Sequence, residues 1–435
     1  MPSFAAPPAA TVWDGLMEWA GNGREQTVLT WAQRFDLKAR AHASMWIVPT
    51  AFIILAIVLS MVMPWLDRQV TCEPYFVYSA SSAQATLSAI ASGMLVFTGF
   101  VFSILTFSIQ FGSSTYTPRL LRSVTTDPKT KLALGVFIAT FIYALLILAE
   151  VAPGDSDYVP QYSVLLSVVS VGISILLFLG LIVDVTGSIR SGRVVGDVDR
   201  RGRTVIEDMF PDAAHPTPEQ IDDSLLPDQP LLRVGNPEVG GAVVQAVHVE
   251  GIVALASDSG VAMEMVPSVG EFVATGATVF QIYGDTDSID TERLFDWVAF
   301  GDERTFRQDP TYALRILVDI ALKALSPAIN DPTTAVEALG RIGDLLLLLG
   351  SRQLPDGVMR DSHGTIRFVY HTPTWADFLS LAFTGIREVG AGTNQVVVAM
   401  RTQLDQLREL VPDWRRADVD AQSWLLEEAV ALANA

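Results

Sequence analysis

Cysteine is nearly absent. Cys72 is the one thiol in 435 residues, so the chain can close no disulfide within itself and offers no cysteine-based metal site. Histidine is scarce as well: His42, His215, His248, His363 and His371 are all there are, and none pairs with another at a metal-ligand spacing. GxSxG, HExxH and a lysine-bearing phosphate loop are missing too. The expectation is a protein that is not an enzyme and that holds neither cofactor nor metal. Charge is also thin, at 18% of residues, where a soluble domain carries about a quarter.

Hydrophobic residues make up 50% of the chain and the mean hydropathy is +0.36. The length suits about two to three domains, and a membrane part followed by a soluble part accounts for both numbers. The charge divides accordingly. Residues 1–203 hold 14 Lys and Arg against 13 Asp and Glu, whereas residues 204–435 hold 15 against 35, a net of −20. The back half therefore reads as an acidic soluble domain, and acidity of this size argues against a nucleic acid as partner.

Four apolar runs, at about 45–66, 89–111, 132–151 and 162–185, are long enough to cross a bilayer, which takes roughly 20 residues. The first is too long for a signal-peptide core and reads as a retained anchor. Their short connections set an orientation. Arg34, Lys38 and Arg40 precede the first run; Arg119, Arg122, Lys129 and Lys131 lie between the second and third; Arg190, Arg193, Arg200, Arg201 and Arg203 follow the fourth. The other two connections are acid-rich, with Asp67, Glu73, Glu150, Asp155 and Asp157. Lys and Arg accumulate on the cytoplasmic side, so both termini are expected in the cytoplasm of a bacterial cell, with the spans in its inner membrane. Residues 1–43 are a cytoplasmic segment that either lies along the bilayer as an amphipathic helix or folds against the soluble domain.

The second run is not uniformly apolar. Ser88, Ser92, Gly99, Ser103, Thr106, Gln110 and Ser113 recur at intervals of three, four or seven, which puts them in one stripe of a helix. Ser163, Ser167, Ser170 and Ser174 form a shorter stripe in the fourth run, continuing toward Asp184, while the first and third runs have none. The second and fourth spans are accordingly expected to face inward, and the first and third to face lipid. Small hydroxylated residues also serve ordinary helix packing, which is the plainer reading of both stripes. The ionisable residues of the runs, Glu150 and Asp184, sit near span ends, which supports a proton-coupled carrier poorly.

Beyond the spans, residues 191–230 read as a linker, basic and then rich in Pro and Asp. Residues 231–285 form a small β unit with strands near 241–247, 261–266 and 278–283 and a short helix near 250–257. Residues 286–435 are mainly helical, with helices at about 289–300, 309–325, 332–350, 374–389, 393–410 and 417–433 and a hairpin at 364–369. The fold class is thus four transmembrane helices, residues 44–190, plus an α+β domain made of a β-barrel-like unit and a helical bundle.

The run RTFRQDPTYALRILVDIALKALSPAINDPTTAVEALGRIGDLLLLLG at 304–350, with TFSIQFGSSTYTPRLL at 106–121 and the four spans, resembles a bacterial family of predicted membrane proteins labelled domain of unknown function twenty-two fifty-four. The resemblance covers nearly the whole chain and implies little about activity. Within it, Asn330 suits a left-handed turn, Asp331 an N-cap and Pro332 a first helical position, so SPAINDPTTA reads as a rigid corner between two helices. A ligand at that helix start, held by Asp331, Thr333 and Thr334, is the alternative. The segment PSVGEFVATGATVFQIY resembles the barrel-sandwich domains of biotinyl and lipoyl carriers, but 231–285 lacks the lysine on which such a carrier depends.

These readings converge on a homo-oligomeric, channel-like protein of the bilayer. Ser92, Gly99, Ser103, Thr106, Gln110 and Ser113 would line its pathway, and Arg119, Arg122 and Asp184 would set the charge at the inner mouth. The rival is a membrane-anchored scaffold whose acidic domain binds an unidentified cytoplasmic protein.

Overall fold

The computed structural model describes residues 29–69, 77–115, 128–151, 159–188, 191–216, 226–227, 229–285 and 289–435. A short helix α1 (Trp31–Ala43) leads into four long ones: α2 (Ile47–Gln69), α3 (Ala80–Thr115), α4 (Pro128–Glu150) and α5 (Gln161–Ser188). Each of the four has a stretch long and apolar enough to cross a membrane. At 36 residues, α3 is the longest.

The packing overturns one expectation about these spans. The third is central: 44% of its apolar window is buried, against 17–22% for the other three. It packs against α2, α3 and α5 alike, with Ala133, Phe137, Tyr143, Ala144 and Ile147 all buried. Its sequence shows no polar stripe because the neighbours that cover it and the side it leaves open, with Leu132, Leu145 and Leu146 exposed, are both apolar. Gly135 helps it into place, since a Cβ there would lie 2.9 Å from the Phe52 ring of α2.

Residues 191–230 are only partly a linker, because α6 (Ser191–Met209) opens them. Val195, Val198 and Ile206 of α6 are buried in the core of the helical domain, so this helix, which starts three residues after α5 ends, is part of that domain. The apolar positions alternate with Arg193, Asp197, Arg200 and Arg201, and those charges mask the helical period from a composition-based reading.

The β strands follow: β1 (Leu232–Gly235), β2 (Ala242–Val247), β3 (Ala262–Met265), β4 (Phe272–Val273), β5 (Thr278–Tyr283) and β6 (Val298–Gly301), with α7 (Val249–Asp258) between β2 and β3. Next come α8 (Pro310–Ala324), α9 (Pro332–Gly350), the hairpin β7 (Val358–Arg360) and β8 (Ile366–Tyr370), then α10 (Trp375–Gly390), α11 (Asn394–Leu410) and α12 (Arg416–Ala433). The strands make two open sheets, β1-β5-β3-β8-β7 and β4-β2-β6. The barrel-like unit is therefore not formed. The reason is β8, which pairs in parallel with β3 (Met263 opposite Phe368, Met265 opposite Tyr370) and extends the sheet instead of letting it close. The helix expected at 289–300 also resolves differently. A 3-10 turn, Glu292–Trp297, runs straight into β6, whose Val298 and Phe300 pair with Val247 and Val244 of β2.

Candidate functional site

The stripe of α3 stands on the outside of its own four-helix bundle. The buried side of the helix is Ala83, Leu87, Ala91, Met94, Val101 and Leu105, and Ser92, Gly99, Ser103, Thr106 and Gln110 lie on the exposed side with Ser88 half-buried at its edge. The hydroxyls turn back on the helix: Ser92 donates to the Ser88 carbonyl at 2.8 Å, Ser103 to Gly99 at 3.0 Å and Thr106 to Phe102 at 2.9 Å. Bulky Leu95, Val96 and Phe102 are interleaved and exposed, while a Cβ at Gly93 or Gly99 would meet no atom within 4 Å. Among the described residues, a single chain thus encloses no path along the stripe. It presents a strip of small and hydroxylated residues to whatever lies beyond. Ser113 and Asp184 belong to α3 and α5, but their side chains fall outside the described set, and Arg119 and Arg122 fall outside the described residues.

The stripe of α5 behaves in the opposite way. Ser163, Ser167 and Ser174 are completely buried and Ser170 is half-buried. Ser167 and Ser174 each donate to the carbonyl four residues earlier, and Ser174 meets Thr140 of α4 at 3.4 Å. This is a packing seam, in which small hydroxylated residues let helices approach while satisfying their own polar atoms. At one end it is clamped by a residue that sequence reasoning took for part of a charged connection. Asp67, near the end of α2, accepts from the Tyr162 amide at 2.9 Å, the Ser163 amide at 3.0 Å and the Ser163 hydroxyl at 2.7 Å. It caps the start of α5, where the first amides lack partners within their helix. Gln161 adds a second tie, giving and taking a hydrogen bond with the Tyr78 backbone at 2.9 and 2.7 Å. Arg68 and Glu150 pair at 3.2 Å on the surface nearby.

The helix corner is built as local chemistry dictates. Asn330 has φ +49°, a conformation Asn tolerates better than most residues. Asp331 accepts from the Thr333 and Thr334 amides at 3.1 Å and from the Thr334 hydroxyl at 2.5 Å, and Pro332 opens α9. These bonds hold the Asp331 carboxyl below its ordinary range, the Thr334 hydroxyl contributing most. All of its partners belong to the turn itself.

The densest constellation lies in RTFRQDP, the front of the distinctive run. Asp309 is 2% exposed. It meets Arg304 Nε at 2.7 Å and Nη2 at 2.6 Å, and it accepts from the Thr311 hydroxyl at 2.7 Å. Burial pushes its carboxyl up, against the opposing pull of Arg304 and Thr311. Gln308, Arg307 and Phe306 each reach a different element. Gln308 accepts from the Val247 amide at the end of β2 at 2.8 Å. Arg307 lies 4.7 Å over the Phe35 ring of α1, and Phe306 sits under Arg201 of α6 at 5.8 Å. The Glu303 carbonyl takes the Gln245 side-chain amide at 2.7 Å. The segment joins the β4-β2-β6 sheet, both helices that flank the spans, and the helical core. Sequence reasoning noticed the run but assigned these residues no role. The signal was present in its paired Arg304 and Asp309 just ahead of Pro310, an N-cap position with a charge five residues upstream.

A second polar row lines the contact of α6 with α9. Asp199, 6% exposed, has Arg203 at 3.6 Å and Arg341 at 3.7 Å, and Arg203 also binds Asp344. Burial raises the Asp199 carboxyl. Among the described residues no group of three or more His, Cys, Asp or Glu converges as a metal site would require.

Comparison with known proteins places these features in a wider set. Uncharacterised proteins of Mycobacterium tuberculosis and Mycobacterium bovis are each 27% identical to the chain over 443 residues, covering 98% of this chain and 82% of theirs. No solved structure matches it. The family model described as "Predicted membrane protein (DUF2254)" matches residues 42–406, a stretch that takes in the four spans, the β sheets, the RTFRQDP hub and the SPAINDPTTA corner. The chain belongs to the DUF2254 family of predicted membrane proteins.

Proposed function

We propose that the protein is an oligomeric, channel-like component of the bacterial cytoplasmic membrane, with both termini and the acidic domain on the cytoplasmic side. The observation that carries this reading is the outward placement of the α3 stripe. The polar residues of α5 are sealed inside the protomer, but those of α3 are exposed, where hydrocarbon tails give hydroxyls nothing to gain. Copies arranged about an axis would turn Ser92, Gly99, Ser103, Thr106 and Gln110 toward a shared narrow path, whose hydroxyls replace water around a permeating solute. The basic residues at the chain's inner turns support the orientation. The α+β domain would form the vestibule or gate.

Reconstitution into liposomes tests this. Small-ion flux is expected in the native chain and should collapse when Ser103→Leu and Thr106→Leu are combined. Absence of flux for every small ion and condition tried, or a monomeric native mass after extraction, would remove the channel. A second reading is an anchored scaffold whose acidic domain recruits a partner. It is supported by the bonds of the α3 hydroxyls to their own helix, which leave them content in a dry seam. A scaffold should tolerate the same double substitution.

A further inference from the structure

The acidic domain meets the membrane part at both of its ends. At the far end, α6 begins three residues after α5 ends. At the near end, α1 docks against β6 and the 3-10 turn, and residues 44–46 alone separate it from α2. The near contact is built around an imidazole. His248 lies between two indoles, with ring centroids 5.2 Å from Trp31 of α1 and 5.1 Å from Trp297 of the 3-10 turn. It is also the N-cap of α7. Its Nδ1 accepts from the Gly251 amide at 3.0 Å. An amide N–H can only donate, so Nδ1 must carry a lone pair and the proton of the neutral ring must sit on Nε2. Position 251 has to be glycine for this arrangement, because a Cβ there would run into the Trp297 ring and come within 2.8 Å of His248 Nδ1.

We propose that His248 is a pH-sensitive clasp between the acidic domain and the helix that enters the first span. Protonation of Nδ1 by solvent converts the acceptor into a second donor facing the Gly251 N–H, and the two N–H groups cannot share the position. Glu250 of α7 already has Oε2 4.0 Å from His248 Nε2 and is largely exposed, and the indole faces attract a cation, so charge does not expel the imidazolium; what turns the ring is the Gly251 N–H that its Nδ1–H would face. From α1 and the 3-10 turn the ring receives indoles, and the cation on the same interface, Arg307, is engaged over Phe35, one turn along α1 from Trp31. A ring turned off the Gly251 N–H leaves the face of Trp31, and α1 loses its anchor. The sign follows: the docked state needs neutral His248, so docking is held while the ring is neutral and lost when falling pH puts a proton on Nδ1. The inference stands whether or not α3 lines a pathway.

Hydrogen exchange on the full chain in detergent, read at about pH 7.5 and about pH 5.5 with times scaled for intrinsic rates, tests it. In the native protein, exchange across residues 31–43 and at the start of α7 is expected to accelerate by about tenfold at the lower pH. His248→Asn, which caps a helix without titrating but brings no ring to Trp31, should exchange alike at both pH values. His248→Ser serves if the Asn chain does not fold. Unchanged protection in the native protein, or equal loss in a capping variant that cannot take a proton, overturns the clasp.

Discussion

Arg304 and Asp309 show how one charge pair can decide the fate of several elements. Both sit where water does not reach freely, and the carboxylate is almost wholly enclosed. A buried pair adds little over well-packed apolar residues, but removing one partner strands the other. Arg304→Met should therefore cost about 3–5 kcal/mol, measured by denaturant unfolding of the full chain. A loss near that of an exposed pair, about 1 kcal/mol or less, would show that the pair is not sealed. Gly270 shares the site. It has φ +91°, and a Cβ there would collide with Asp309 and Arg304, so the turn before β4 closes directly over the ion pair. At this scale the sequence was readable where the chemistry is local: Asp331 caps the helix that begins at Pro332 because carboxylate, threonines and amides are all within four residues. Asp67, His248 and Asp309 were not readable in that way. Asp67 reaches an amide 95 residues on and His248 lies between rings of α1 and the 3-10 turn, so for both the decisive neighbour comes from another element. Asp309 has its partners two and five residues away, and it was its burial that no local pattern announced.

Among the elements, α6 is the instructive case. Its charges made it look like a linker, yet its apolar face is part of the helical core. Close approach is arranged at Gly202, where a Cβ would lie 2.7 Å from that of Ala313 on α8 and 3.1 Å from Leu345 on α9. Gly202→Leu is expected to overpack this three-helix crossing and destabilise the domain by about 1–3 kcal/mol, read as a lowered denaturation midpoint; a neutral result would mean that α6 can slide on its neighbours. The helices that begin at Pro310, Pro332 and Trp375 were legible from period and caps, since an exposed or half-buried helix writes its environment into its sequence. The third span was misassigned because its covered and open sides are both apolar, so its sequence holds no record of which is which. The α3 stripe was legible as a stripe, but which way it points depends on α4 and α5, and period alone carries no such direction.

For the whole molecule, the parallel pairing of β8 with β3 ties residues 262–265 to residues 366–370 across two long helices. Units that looked separable in the sequence, 231–285 and 286–435, share one sheet. A chain ending at 285 would leave the inner edge of β3 bare, the kind of unpaired edge that recruits other strands, and is expected to be found in aggregates, whereas a chain ending at 435 is soluble in detergent. Size-exclusion chromatography of the two, expressed alike, checks this, and a monodisperse shorter chain would show that the β unit folds unaided. The sheet order lay beyond the sequence because nothing in the local pattern of β3 or β8 announces a partner so remote.

The length of α3 has a mechanical meaning. At 1.5 Å per residue its 36 residues extend to roughly 54 Å, well past a hydrocarbon layer of about 30 Å. Such a rod overhangs the slab that holds it and behaves as a lever: a slight lean inside the bilayer becomes a wider sweep at the tip. Any tug on the tips, from either side, would be felt at mid-depth as a change of tilt.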